Sequence, residues 1–441
     1  VMVTASHNPP ADNGYKVYWD NGAQIIPPHD AGISAAIDAV PSIRGIPLLE
    51  KREARARGLW REIPRAVGED YLAGVLALRR HPEAPADLSI VYTPLHGVGG
   101  AWVRRAFAAA GFDRLQVVPE QAEPDGEFPT VSFPNPEEKG AMDLALALAR
   151  GEAADLVLAN DPDADRLAVI LRDPAGEYRP LTGNEIGVLL AYYLLTEGPR
   201  REEESIVITT IVSSSLLRRM AGELGVHYAE TLTGFKWIAN KAMELRASHG
   251  WRFVFGFEEA LGYSVGELVR DKDGIGAALV FADLAAFCRA RGRTVLDYLE
   301  EIYRRFDLYV SGQMSVTLPG TEGAGAIARI MEAFRSRPPE AIGRARVLRI
   351  TDLRSGEALE IAGGARTKVD LPSSNVLVYD LEGGSRVLLR PSGTEPKIKY
   401  YFEAVLPVDA RIPFEETRRQ GQARLDALRS EFLDEADARA R

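Results

Sequence analysis

Short apolar runs alternate with amphipathic stretches through the middle of the chain. Residues 88–92, 115–118, 155–159 and 167–171 read as strands, and the spacing of apolar positions predicts helices over 101–110 and 139–149. The alternation returns after a charged break at 197–204: strands at 205–209 and 253–255, helices over 214–224 and 275–291. From about Asp307 the texture changes to longer strands (308–318, 346–350, 375–380, 386–389, 397–404) with helices at 322–334 and from Phe414 onward. The first 80 residues carry a strand before the turn at Ser6, another near 13–18, a helix over 30–39 and an irregular charged stretch over 41–66.

This pattern gives an α/β protein: three similar α/β domains with mainly parallel sheets, the first incomplete, plus a C-terminal α+β domain. The boundaries fall at 1–82, 87–198, 205–306 and 307–441, with Glu83-Ala84-Pro85-Ala86-Asp87 as a linker. No residue-level repeat accompanies the likeness between domains. The opening Val1-Met2-Val3 reads as a strand whose partners lie outside the sequence, so a missing N-terminal part is expected.

Composition narrows the function. At 441 residues, 46% apolar and 26% charged, the chain has an ordinary soluble composition. Its charge, 53 minus 63 or −10, argues against a nucleic-acid partner. No membrane-length apolar run is present, and a cytoplasmic location is expected. The single cysteine, Cys288, lies in a helical pattern and excludes intramolecular disulfides and thiolate metal sites.

Four stretches carry candidate chemistry. Asn160-Asp161-Pro162-Asp163-Ala164-Asp165-Arg166 joins two strands, and in extended backbone its alternate carboxylates would project the same way. Close anions repel and raise one another's pKa, which suits a hard cation with oxygen ligands, Mg²⁺ above all; an acidic turn in solvent is the plainer reading. An EF-hand fails on counting, since Arg166 and Arg172 stand where the glycine and the glutamate belong. Ser6, beside His7 and with Lys16 at the next strand, lacks the G-x-S-x-G elbow of acyl transfer and is either a nucleophile of another kind or an ordinary turn residue. Glu258 and Glu259 follow an apolar strand, where they could accept sugar hydroxyls or cap a helix in solvent. Arg390-Pro391-Ser392-Gly393-Thr394 interrupts two strands with a guanidinium, two hydroxyls and a glycine, the make-up of a phosphate cradle, though a plain hairpin turn also fits. Thr93 to Gly100 invites a dinucleotide reading, but Trp102 blocks the third glycine position, which leaves the glycines as tight-turn residues.

Together, and in this order, the four stretches resemble the α-D-phosphohexomutase superfamily of phosphoglucomutases and phosphomannomutases over essentially the whole chain, which implies that the four domains each contribute one loop and are arranged around a central cleft. The resemblance implies that Ser6 carries a phosphoryl group and, with Asp161, Asp163 and Asp165, ligates one Mg²⁺. It implies that Glu258 and Glu259 hold the sugar, joined by Lys236, and that Arg390, Ser392, Gly393 and Thr394 grip the non-reacting phosphate. His7, Lys16 and Arg166 match residues assigned to proton transfer and charge stabilisation. A bisphosphorylated sugar is the implied activator, a phosphorylated sugar the implied partner, and a monomer or weak dimer the implied state. Phe257-Glu258-Glu259-Ala260-Leu261-Gly262 and Asp20-Asn21-Gly22-Ala23-Gln24 look closer to the phosphoglucomutase and phosphopentomutase branch than to bacterial phosphomannomutases. Glucose phosphates are the expected substrate, with pentose phosphates or a catalytically silent sugar-phosphate-binding protein as alternatives. A haloacid-dehalogenase-type phosphatase using Asp161 fits less well, because Asp165 stands where that class has Thr or Val.

Overall fold

The computed structural model describes residues 1–198, 203–318, 320–392 and 396–440. It divides into two units, Val1–Ile208 with Gly234–Val295, and Thr209–Thr233 with Leu296–Arg441.

In the first unit, Met2–Val3 and Tyr15–Lys16 pair antiparallel as a two-stranded sheet. The helix near residue 30 runs His29–Asp38. The stretch expected to be irregular contains the helix Lys51–Ala56, built of good helix formers and braced by an Arg57–Glu53 pair at 3.3 Å. A further helix, Arg65–Leu76, buries Val75.

A five-stranded sheet follows in the order Leu115–Val117, Ile90–Thr93, Leu156–Ala159, Ala168–Arg172, Tyr178–Pro180. Ile90–Thr93 is parallel to both of its neighbours. The last two pairings are antiparallel, not parallel as expected. The cause is length: neither the acidic loop nor the turn at 173–177 is long enough for a crossover, which needs about a dozen residues or more, so the chain turns back on itself each time. The helix expected over 139–149 forms at Asp143–Glu152, because Gly140 takes φ +89° and cannot belong to it. One helix without a strong amphipathic signature, Gly183–Thr196, is buried over most of its length and starts with a capping box between Thr182 and Glu185.

Beyond it, Arg252–Glu258 and Gly262–Val265 form an antiparallel hairpin, with Ser205–Thr210 beside the first of these strands. The long helix Gly274–Ala290 is capped by Asp273 and buries Cys288 fully. Asp283, inside this helix, accepts from Arg79 Nε (2.9 Å), the Arg80 and His81 N–H groups (2.7 and 3.0 Å) and Tyr193 Oη (2.8 Å). One buried carboxylate thus fastens the segment just before the predicted linker.

The second unit is organised by an eight-stranded sheet. Its main path is Leu308–Thr317, Lys397–Leu406, Arg386–Pro391, Leu377–Leu381, Ala345–Asp352, Glu357–Glu360 and Arg366–Lys368, and every one of these pairings is antiparallel. Helices Gly320–Ser336 and Phe414–Ala440 supply Ile330, Phe334, Leu428 and Phe432 to a core shared with Tyr379, Leu389 and Tyr400. Buried Glu403 accepts from Arg386 Nε (3.0 Å) and from the Ser215 N–H, which ties the helix Leu216–Leu224 to the sheet.

Candidate active site

The acidic loop turns rather than extends. Ala164 takes φ +60°, so the simple alternation expected from the sequence does not hold, yet Asp161, Asp163 and Asp165 bring one oxygen each within 4.8 Å of one another. The turn is held from below. Asn160 donates from Nδ2 to the Arg166 carbonyl at 2.5 Å and accepts from Tyr92 Oη at 2.8 Å. The glycine run after Ile90–Thr93 explains itself here: the Val98 N–H donates to the Pro162 carbonyl at 2.9 Å, and a Cβ on Gly97 would stand 2.4 Å from Pro162 Cα. These glycines serve close backbone contact with the acidic loop, in keeping with the tight-turn reading.

Ser6 meets this loop in the left-handed conformation, φ +54°. Its Oγ donates toward Asp161 Oδ2 and Asp163 Oδ1, each at 3.2 Å, and lies 3.3 Å from His7 Nδ1. Thr4, which the sequence reading passed over, braces the turn by accepting the Ser6 N–H at 2.9 Å and donating to Asp163 at 3.1 Å. The ring of Phe133 lies 6.1 Å from the His7 ring.

Three cations surround the carboxylates. Lys16 Nζ lies 2.9 Å from Asp163 and 2.6 Å from Asp165, and Lys272 Nζ 3.0 Å from Asp165. Arg166 Nε stands 3.8 and 3.9 Å from Asp161 and Asp165, too far for hydrogen bonds, and its N–H donates to Asp161 at 3.0 Å. Lys272 was also missed; its only sequence signal is its place in Arg270-Asp271-Lys272-Asp273, directly before a buried helix.

Burial, and then repulsion from Asp165 and Asp163, pushes Asp161 up to about 8. Burial would also raise Asp165, but Lys272 and Lys16 reverse this and hold it below the usual carboxylate range. Lys16 is raised: burial opposes its charge, and the two carboxylates outweigh that. Burial and the Arg166 guanidinium lower His7 to about 4, so its imidazole is neutral at pH 7. The buried Asp165 Oδ1 and Arg166 Nε have no hydrogen-bond partner among the described residues. A carboxylate forced toward protonation beside an unmatched carboxylate oxygen fits a divalent cation with oxygen ligands.

The glutamate loop joins the acidic loop directly. The Leu167 N–H donates to the Leu261 carbonyl at 3.0 Å, and Arg166 bridges to Gly262. Glu258, raised by burial, accepts the Gly234 N–H at 2.7 Å; this sets the start of the helix Phe235–His249 and with it Lys236. Glu259 is half-buried beside it. Arg390 and Ser392 belong to the second unit: Arg390 is in register with Lys399, and the Ser392 N–H donates to the Lys397 carbonyl at 2.7 Å. Gly393 and Thr394 lie outside the described residues.

Comparison with known proteins gives this arrangement a family. Four models of the phosphoglucomutase/phosphomannomutase family match: α/β/α domain I over residues 1–44, domain II over 69–176, domain III over 182–306, and the C-terminal domain over 347–410. A Haemophilus influenzae protein named as a phosphomannomutase is 40% identical over 92% of this chain and 77% of its own length. The phosphopentomutase of Homo sapiens is 37% identical over 98% of this chain and 72% of its own. The fold is also that of the crystal structure of parafusin, a phosphoglucomutase of Paramecium, with a TM-score of 0.61 at 18% identity over 97% of this chain and 77% of that one. The chain therefore belongs to the phosphoglucomutase/phosphomannomutase family, within the α-D-phosphohexomutase superfamily, and is an enzyme of the phosphoglucomutase type.

Proposed function

We propose that the chain interconverts 1-phospho and terminal-phospho sugars through a phosphoryl group carried on Ser6, with glucose phosphates as substrate. The observation that carries this reading is Ser6 Oγ poised 3.2 Å from two carboxylates and 3.3 Å from a neutral histidine nitrogen. Phosphoryl transfer asks for alignment and charge neutralisation more than for covalent chemistry.

In transfer to substrate, the bond from phosphorus to Ser6 Oγ breaks as one from phosphorus to a sugar oxygen forms. The sugar hydroxyl gives its proton to solvent water, and the departing Oγ takes one from the protonated His7 imidazole. Neutral His7 would take the Oγ proton when Ser6 attacks a phosphosugar and, charged by it, would return it when Ser6 leaves, while Lys16 and Arg166 offset the phosphoryl charge. Asp161, Asp163 and Asp165, with the Ser6 phosphate, would hold one Mg²⁺, which when bound supplies further neutralisation of the phosphoryl oxygens. Glu258, Glu259 and Lys236 would orient the sugar, and Arg390, Ser392, Gly393 and Thr394 its second phosphate. The bisphosphorylated sugar formed by the first transfer turns over and returns its other phosphate to Ser6, so it also serves as activator.

A second reading, a phosphopentomutase acting on ribose or deoxyribose phosphates, is favoured by the likeness to the human enzyme over 98% of the chain. Turnover of glucose-1-phosphate and ribose-1-phosphate under one condition separates the two. Higher kcat/KM on the hexose supports the first reading, higher kcat/KM on the pentose the second, and turnover of neither would contradict both.

A further inference from the structure

Between the strand Gly262–Val265 and the helix Gly274–Ala290 runs a charged stretch, Arg270–Asp273, that touches the candidate site at Lys272. We infer that Asp271, the residue before it, is a positioning residue that holds the ammonium groups of Lys16 and Lys272 together on the acidic loop. Its part in turnover rests on the phosphomutase reading above; its geometry does not.

Asp271 is 7% exposed. Its Oδ2 accepts from Tyr18 Oη at 2.6 Å and from Gln24 Nε2 at 2.8 Å, and its Oδ1 accepts the Lys272 N–H at 2.8 Å. Tyr18 and Gln24 face each other as an antiparallel bridge across a turn closed by the Trp19 N–H on the Ala23 carbonyl at 2.9 Å. Lys16 lies two residues before Tyr18, and between them Val17 accepts the Ile25 N–H at 3.0 Å across the same hairpin. This hairpin thus presents Lys16 to the acidic loop and Tyr18 and Gln24 to Asp271.

Asp271 joins two segments that each bring a lysine to the same oxygen. Lys16 and Lys272 reach Asp165 Oδ2 at 2.6 and 3.0 Å, where like charges would separate unless their backbones were fixed. The Lys272 stem is confined as well, since a Cβ on Gly262 would stand 2.5 Å from its Cδ. Arg270 adds a contact to the same hairpin through the Asn21 carbonyl. Asp271 reaches the acidic loop through the lysines it places.

The test replaces Asp271→Asn, which keeps the size and sets an amide among three donors, and Tyr18→Phe, which removes one of those donors. Labelling with limiting acetic anhydride, read peptide by peptide, reports the freedom of each lysine. Released from Asp271, Lys16 and Lys272, whose side chains are only 18% and 13% exposed, should label about threefold or more faster, with Lys236 and Lys241 unchanged, because the reagent acylates an amine only where it can reach it. No rise at Lys16 and Lys272, or an equal rise at every lysine, overturns the inference. Turnover supplies a second readout. Asp271→Asn should lower kcat roughly 10- to 100-fold with KM little changed, as misplacement of a positioned group does. In a Lys272→Met background the same change should cost severalfold less than in the wild type, because only Lys16 then remains to be misplaced. An equal loss in both backgrounds would mark Asp271 as merely structural and overturn the claim. If the wild type turns over no sugar phosphate, the phosphomutase reading fails, and the labelling pattern alone decides whether Asp271 positions the lysines. If Asp271→Asn does not fold, Tyr18→Phe carries both measurements.

Discussion

Ser6 Oγ stands 3.2 Å from Asp163 Oδ1 although 157 residues separate the two in sequence. The contact exists because a left-handed turn at Ser6 meets a left-handed turn at Ala164, each braced by its own neighbours, Thr4 on one side and Gly97 on the other. Ser6 and the acidic triad are thus one assembly.

Asp163 is the carboxylate that Ser6, Thr4 and Lys16 share, so Asp163→Ala removes one of the three oxygen ligands proposed for Mg²⁺ and leaves Lys16 on Asp165 alone. We expect Mg²⁺ affinity to fall at least tenfold, in line with the losses of about 10–100-fold seen when even outer-shell partners are removed. Isothermal calorimetry reads this directly, and wild-type affinity in the variant would take Asp163 out of the site.

The raised pKa of Asp161 gives a pH dependence with a definite sign. A carboxylate pushed up to about 8 in the folded, metal-free protein binds its proton more tightly folded than unfolded. The stability it contributes is therefore present below its unfolded value and is lost as pH rises toward 8. Without metal, Tm should decline from pH 5 to pH 8, and Mg²⁺ should restore more at pH 8 than at pH 6. The same linkage requires proton release on Mg²⁺ binding near neutrality, measurable as a buffer-dependent binding enthalpy.

Asp283 tests the frame behind the site. Asp283→Ala strips a fully buried carboxylate from Arg79, itself 6% exposed, and from the Tyr193 hydroxyl. Breaking one side of a buried ion pair costs about 3–5 kcal/mol, which a lowered urea midpoint would register. An unchanged midpoint would show that the segment 79–81 is held by other contacts.

Arg390→Lys replaces a guanidinium fork with a point charge in the strand end before the proposed phosphate cradle. KM for the sugar phosphate should rise severalfold with kcat less affected. An unchanged KM would leave Arg390 a purely structural part of the sheet.

How much of this was legible in sequence depended on whether the signal was local. The four loops could be read because each sits at a strand end and concentrates its chemistry within a few residues, as Asp161 to Asp165 do. Antiparallel return after the acidic loop was missed, although the brevity of that loop demanded it. Lys272 and Asp271 were missed for a different reason: a charged stretch before a helix looks like any solvated turn until Tyr18 and Gln24, some 250 residues earlier, close over it. Asp283 was hidden likewise, one carboxylate in an apolar helix whose partners come from residues 79–81 and 193.

The central claim is that Ser6 carries the phosphoryl group, and intact-mass spectrometry combined with a coupled mutase assay tests it most directly. The wild-type protein purified from cells should carry one phosphoryl group that maps to Ser6, and Ser6→Ala should lose both that mass and the turnover of sugar-1-phosphate while its melting behaviour stays close to wild type. Robust turnover by Ser6→Ala, or a phosphoryl group that persists in it, would contradict the account.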